Sequence, residues 1–236
     1  MLRAILFDYG GTLDGAGSHW LIRFGEQYQQ AGLDLPFERR RAAFDHATQC
    51  AYRDPAVAGF GLHTLVQYHV QRQCEHLGIS DPRLAAAVVA GFVRASQAGL
   101  EASRLVLARL HRRVALGVVS NFYGNVRRIL EEAHLAGLFT TVIDSGVVGI
   151  RKPDSAIFAL AVQELGCAPA EALYVGDSFE KDIVGAHTAG LRTGWLVNDA
   201  DCPRPLPQCV DVRLRRLADL ETLVDSFSSE PAPAES

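Results

Sequence analysis

Ala4-Ile5-Leu6-Phe7-Asp8-Tyr9-Gly10-Gly11-Thr12-Leu13-Asp14 is a four-residue apolar run that stops at an acid and breaks into a glycine turn. The same form recurs four times: Val114–Val119 before Ser120, Val142–Ile143 before Asp144, Ala172–Val175 before Gly176-Asp177, and Trp195–Val197 before Asn198. Short runs that are partly β-branched or aromatic and closed by turn-forming residues are the pattern of buried parallel strands. Stretches of helical length lie between them. In Asn125–Leu135 the apolar residues Val126, Ile129, Leu130 and Ala133 recur at spacings of three and four, and Ala156–Leu165 and Ile183–Ala189 behave alike. Strand alternating with helix predicts a parallel α/β sheet.

Residues 17–98 interrupt this alternation. They hold no convincing strand, and Leu62, Leu65, Val66, His69 and Val70 follow helical spacing. Breakers at Gly32 with Pro36, Asp54-Pro55 and Gly78 with Asp81-Pro82 divide the stretch into four expected helices. The expected organisation is a core of residues 1–16 and 99–225, a helical insertion over 17–98, and a disordered tail over 226–236, rich in Ser, Pro, Ala and Glu.

The chain has 236 residues, 48% hydrophobic and 21% charged, enough to bury a core without covalent staples. A net charge of −4 argues against a nucleic-acid or anionic-membrane surface, which needs a basic excess. Five cysteines at irregular spacing, with no Cys-x-x-Cys pair, fit reduced thiols and a cytoplasmic setting better than a zinc site or disulfides. No apolar run reaches the ~18–20 residues of a membrane span. The N-terminal run is too short for a signal peptide and is expected to be the first strand.

Ligands of open parallel sheets bind at the carboxyl ends of the strands. Four polar signals fall there: Asp8, Ser120-Asn121, Lys152, and Asp177 with Asp182. Singly each has a structural explanation, as an Asx turn, a helix cap or a surface helix start. Jointly they require four coincidences in one cleft. Lysine usage sharpens the case, because only Lys152 and Lys181 among the 23 basic residues are lysine. Lys181 is expected to be a solvated helix residue.

Four segments, taken in order, resemble the haloacid dehalogenase superfamily of phosphotransferases and hydrolases. They are Phe7–Asp14, Val118–Asn121, Gly149–Asp154, and Val175–Ser178 followed by Asp182–Ala186. The resemblance implies a Rossmann-like parallel sheet with helices on both faces, an all-helical cap at 17–98, and Mg²⁺-dependent hydrolysis of a small phosphorylated molecule. It implies that Asp8 is the nucleophile, forming an aspartyl phosphate. Mg²⁺ would bind Asp8, the carbonyl of Gly10, Asp177 and, directly or through a second layer, Asp182. Lys152 would bridge Asp8 and the phosphoryl oxygens, which Ser120, Asn121 and the glycine turn at Gly11 would also hold.

The sequence departs from the family's phosphatases at one position. They place a second Asp two residues after the nucleophile, as a general acid and base worth ~10²–10⁴ in rate, and here that position is Gly10. A slow phosphohydrolase, or one restricted to acyl and aryl phosphates, follows, with Asp14 and His19 as the nearest substitutes. The alternatives are a descendant that binds Mg²⁺ and phosphate without turnover and, ranked lower, a 2-haloacid dehalogenase. Phosphonatase chemistry needs a cap lysine, and residues 1–151 contain none. His63, His69 and His76 are expected at the edge of a core or in solvent, Arg39-Arg40-Arg41 on a solvated face, and Trp20 and Phe24 between cap and core.

Overall fold

In the computed structural model, residues 1–197, 202–203 and 205–229 are described. Strand β1 (Ala4–Phe7) leads through a glycine turn to four helices, α1 (Trp20–Gln30), α2 (Phe37–Arg53), α3 (Leu62–Leu77) and α4 (Pro82–Leu110). The chain then alternates: β2 (Ala115–Ser120), α5 (Val126–Glu132), β3 (Thr141–Asp144), α6 (Ser145–Val148), α7 (Ser155–Leu165), β4 (Ala172–Gly176), α8 (Gly185–Thr188) and β5 (Arg192–Leu196). It closes with β6 (Val212–Leu214) and α9 (Leu220–Ser229).

The strands form one six-stranded sheet, ordered β3-β2-β1-β4-β5-β6, with every pair parallel. Period-two alternation explains why both faces are dry. Ile5, Phe7, Leu116, Val118, Leu173 and Val175 pack on one face with the helical insertion. Ala4, Leu6, Val119, Ala172 and Tyr174 pack on the other with Ile157, Phe158 and Ala161 of α7. Each fully buried Ile or Leu contributes roughly 1.5–3 kcal/mol. The chain builds outward from β1 to β2 and β3, then returns to place β4 on the other side of β1. That reversal opens a crevice at the carboxyl ends of β1, β2 and β4.

The four expected helices are present, but α4 is continuous across residue 98 and runs to Leu110. A boundary at 98/99 therefore falls inside a helix. The close crossing of α4 over the first turn requires Gly99, where a Cβ would lie 2.3 Å from the carbonyl oxygen of Asp14. Strand β5 starts at Arg192, three residues before the expected Trp195, because Arg192, Thr193 and Gly194 lack an apolar signature. Short β6 carries no apolar run long enough to stand out. The helix expected at Ile183–Ala189 is present as the end of a longer one, a π-helical stretch over Phe179–Val184 that runs directly into α8. Ser226–Ser229, expected in a disordered tail, belong to α9, whereas 230–236 and Asn198 lie outside the described residues. All five cysteines are free thiols. No helix among the described residues is long and apolar enough to cross a membrane.

A buried carboxylate ties the helical insertion to the sheet. Asp14, expected as a turn residue, is 1% exposed. Its Oδ2 accepts from Arg23 Nη1 (2.8 Å), Trp20 Nε1 (2.9 Å) and Ser96 Oγ (3.1 Å), and its Oδ1 from the Gly11 N–H (2.8 Å). Arg23, itself buried, also donates to Ser96 Oγ and stacks over Phe92 at 4.5 Å. Trp20 and Phe24 pack between insertion and core, with Phe24 stacked on Phe92 and Trp20 edge-on to Phe122. His69 is fully buried and pairs with Tyr123 Oη at 2.9 Å, unlike its expected edge position. On the far side, Asn125 Nδ2 donates to the Phe60 carbonyl and Arg151 lies over Tyr52. Removing one partner of a buried ion pair leaves the other charge uncompensated, at a cost of about 3–5 kcal/mol. Asp14→Asn is expected to lose that much in urea unfolding with an unchanged m-value. A loss below about 1 kcal/mol would show that the pair does not hold the two parts together.

Candidate active site

The residues singled out in sequence converge at the carboxyl ends of β1, β2 and β4. Asp8 follows β1, and its N–H continues the sheet by donating to the Val175 carbonyl (2.9 Å). Ser120 ends β2, and its hydroxyl donates to Asp8 Oδ1 at 2.8 Å, so it is no helix cap. Lys152 reaches in from the loop before α7, and Asp177 and Asp182 come from the turn after β4.

Lys152 sits at the centre. Its Nζ donates to Asp8 Oδ1 (2.7 Å), Asp182 Oδ1 (2.6 Å) and Tyr174 Oη (2.8 Å), which uses all three ammonium hydrogens. Burial alone would favour the neutral amine, but the facing carboxylates of Asp182 and Asp8 outweigh it, and the Lys152 pKa is raised. The loop is fixed by Asn121, whose Nδ2 donates to the Lys152 carbonyl (2.9 Å) and whose Oδ1 accepts from the Lys152 N–H (2.8 Å). The Asn121 side chain is thereby committed to the loop.

The carboxylates are under-compensated. Asp8, Asp177 and Asp182 oxygens all lie within 4.8 Å of one another, with one ammonium among them. Burial, then the charges of Asp8 and Asp182, hold the Asp177 carboxyl well above its ordinary range. Burial and Asp8 also raise Asp182 against the pull of Lys152. Asp177 Oδ1 accepts from Thr12 Oγ1 (3.0 Å), and Asp182 Oδ2 from the Ser178 N–H (2.9 Å). Asp8 Oδ2 and Asp177 Oδ2 make no hydrogen bond among the described residues. Excess negative charge on hard oxygen donors is what a divalent cation such as Mg²⁺ satisfies.

Gly10 places its carbonyl in this turn with no side chain behind it. A Cβ there would stand 3.4 Å from Trp20 Nε1 and 3.9 Å from Phe122, so aromatic rings flank the space a carboxylate would need. Neither nearby substitute is an acid. Asp14 is consumed by Arg23 and Trp20. His19 caps α1 by accepting the Leu21 N–H on Nδ1 (3.2 Å), and burial followed by the charge of Lys181 lowers its pKa. The site opens into a cavity of about 80 Å³ whose far wall is His19, Trp20, Phe44, Phe122 and Tyr123. Lys181, expected in solvent, is exposed yet lines this cavity too.

Two contributors escaped the sequence. Tyr174 is in the apolar run of β4, and its hydroxyl donates to the Val119 carbonyl (2.7 Å) while accepting from Lys152. The available signal was a phenol in an otherwise dry strand, which must find a partner. Thr12, fully buried beside Asp177, gave no signal beyond its place in the glycine turn.

Comparison with known proteins agrees with this architecture. The family model described as haloacid dehalogenase-like hydrolase matches residues 2–190. A phosphoserine phosphatase of Thermus thermophilus is 40% identical over 97 residues, 41% of this chain but only 39% of that protein. The haloacid dehalogenase-like hydrolase domain-containing protein 3 of Bos taurus is 26% identical over 220 residues, covering 89% of this chain and 86% of the relative. Among solved structures, a 2-haloacid dehalogenase from Pseudomonas syringae pv. Tomato DC3000 superposes with a TM-score of 0.56 at 21% identity, over 96% of this chain and 100% of that one. That likeness shows the fold alone. The family match spans most of the chain and includes every residue of the carboxylate cluster, and the chain belongs to the haloacid dehalogenase-like hydrolases.

Proposed function

We propose that the protein is a Mg²⁺-dependent phosphohydrolase of a small phosphorylated molecule, acting through an aspartyl phosphate on Asp8. The observation that carries this reading is the trio of carboxylates around a single ammonium, beside a strand-end Asp whose Oδ2 is free of hydrogen bonds among the described residues. The phosphatases among its relatives support it, each said of a protein this chain matches in part.

Asp8 and Asp177 would hold the ion through their free oxygens, with the Gly10 carbonyl. Asp182, whose two oxygens are already taken by Lys152 and Ser178, would act from behind them. Mg²⁺, when bound, supplies the positive charge that lets a carboxylate approach a phosphate dianion. Ser120 and Lys152 orient Asp8, and the main-chain N–H of Asn121 is assigned to a phosphoryl oxygen, whereas the Gly11 N–H expected for the same task is given to Asp14 Oδ1. An Asp8 oxygen bonds to phosphorus as the bond to the leaving oxygen breaks. Water then attacks phosphorus, releasing phosphate and restoring Asp8, and its proton passes to solvent.

The leaving oxygen receives no proton from a carboxylic acid, because Gly10 offers none and Asp14 is sequestered. Good leaving groups are therefore favoured. A binding protein without turnover is the second reading, and the same site chemistry supports it with Gly10 as the reason. Phosphate release measured with Mg²⁺ and with EDTA separates the two. Acyl and aryl phosphates are expected to exceed alkyl phosphates in kcat/KM by ~10²–10⁴, the usual worth of the missing group. EDTA and Asp8→Asn are each expected to abolish the signal. Release that survives both would overturn the assignment, and EDTA-insensitive halide release from 2-haloacids would replace it with dehalogenation.

Crowded carboxylates also make a prediction independent of turnover. Mg²⁺ at about 100 times its Kd is expected to add ~2.7 kcal/mol to unfolding stability. Asp177→Asn, which removes one of the repelling charges, is expected to raise the thermal midpoint of the metal-free protein and to erase most of the response to Mg²⁺. A midpoint that Mg²⁺ leaves unmoved in the parent protein would contradict the metal assignment.

A further inference from the structure

The part of the cavity that receives the leaving group offers donors and aromatic faces. The Trp20 indole N–H is spent on Asp14, Tyr123 Oη pairs with His69, and both ends of the Asn121 amide hold the Lys152 loop. Three polar groups remain, of which the Ser178 hydroxyl accepts the Lys181 N–H (3.4 Å) and keeps its own hydrogen to donate. His19 Nδ1 accepts the Leu21 N–H, so the neutral ring carries its hydrogen on Nε2, and that nitrogen makes no hydrogen bond among the described residues. The Lys181 ammonium makes no hydrogen bond or ion pair among them either, yet its charge is felt at His19. Lys181 is also the cation left over once Lys152 and a divalent ion are set against the three carboxylates.

A wall that presents an imidazole N–H, an ammonium and a hydroxyl hydrogen is rich in donors and suits an anionic ligand group that only accepts. The cavity, about 80 Å³ against the ~300–1,000 Å³ of typical clefts for drug-sized ligands, has space for a phosphoryl group and a few further heavy atoms. We propose that His19 and Lys181 form a carboxylate subsite, and that the preferred substrate is a small phosphorylated carboxylic acid. This rests on the phosphohydrolase reading for the phosphoryl half of the site. It makes His19 a hydrogen-bond donor to the substrate and not a substitute general acid, since its Nδ1 lone pair is committed to the cap of α1.

The test is calorimetric binding, in Mg²⁺, of two ligands whose P–C bonds cannot be hydrolysed: phosphonoacetate, which carries the carboxylate, and methylphosphonate, which lacks it. Inorganic phosphate is the third probe. Phosphonoacetate is expected to bind about tenfold more tightly than methylphosphonate. In Lys181→Met, a change at an exposed side chain, the ratio should fall towards one, and Lys181→Arg should keep it. Equal affinities in the parent protein, or a ratio that Lys181→Met leaves intact, would overturn the subsite. A variant that weakens both phosphonates equally would do the same, by showing that Lys181 holds phosphoryl oxygens instead. Failure of all three ligands, inorganic phosphate included, would sink the phosphohydrolase reading along with the subsite.

Discussion

Three carboxylates share one buried ammonium, and most of the local architecture answers to that imbalance. Lys152 spends its three hydrogens on Asp8, Asp182 and Tyr174, at 2.6–2.8 Å. A buried amine would otherwise shed its proton, and a buried cluster of acids would otherwise take protons up. Lys152 keeps its proton, but one ammonium cannot serve three acids, and both Asp177 and Asp182 are left with raised carboxyls, Asp177 the more strongly. A parallel sheet whose strand order reverses beside β1 is what brings four separate loops to that one point. Around it, neutral dipoles fix the orientation: Ser120 on Asp8, Thr12 on Asp177, the Ser178 amide on Asp182, Asn121 on the Lys152 loop.

A second buried charge pair gives the site its roof. Asp14 lies six residues after Asp8, yet it faces Arg23, Trp20 and Ser96 and not the crevice. Its role is anchorage of the helices that carry His19, Trp20 and Phe44 to the cavity wall. The same contacts draw the Trp20 ring to within 3.4 Å of where a Gly10 Cβ would stand. Gly10 and the aromatic filling of the space beside it are thus one local arrangement.

The sheet was legible because the termini of β1, β2 and β4 combine dry β-branched runs with turn-forming acids and serines, signals that do not depend on distant partners. Asp8, Ser120 and Asp177 were legible for the same reason, since they sit where strands end, whereas Lys152 stood out by the scarcity of lysine and Asp182 by its place in the segment after β4. Strand β5 was only half visible, since Arg192 and Gly194 occupy pleat positions that neighbours, not hydrophobicity, make acceptable. Asp14 and Tyr174 could not be placed. An acid in a turn reads as a turn residue until an arginine nine positions on reaches it, and a strand tyrosine reads as core until its hydroxyl meets an ammonium. Lys181 is exposed in a helical segment, as expected, and its place at the cavity rim needed the fold to appear. The extent of α4 beyond residue 98 escaped because the helix crosses from insertion to sheet without a breaker.

The proposed chemistry turns on Asp8 taking the phosphoryl group. Its most direct test is rapid acid quench of the protein mixed with an acyl phosphate and Mg²⁺, followed by mass analysis of the peptide containing Asp8. One phosphoryl group is expected on Asp8 during turnover, lost on chase and absent both with EDTA and in Asp8→Asn. Phosphate released at full rate with that peptide never modified would contradict it.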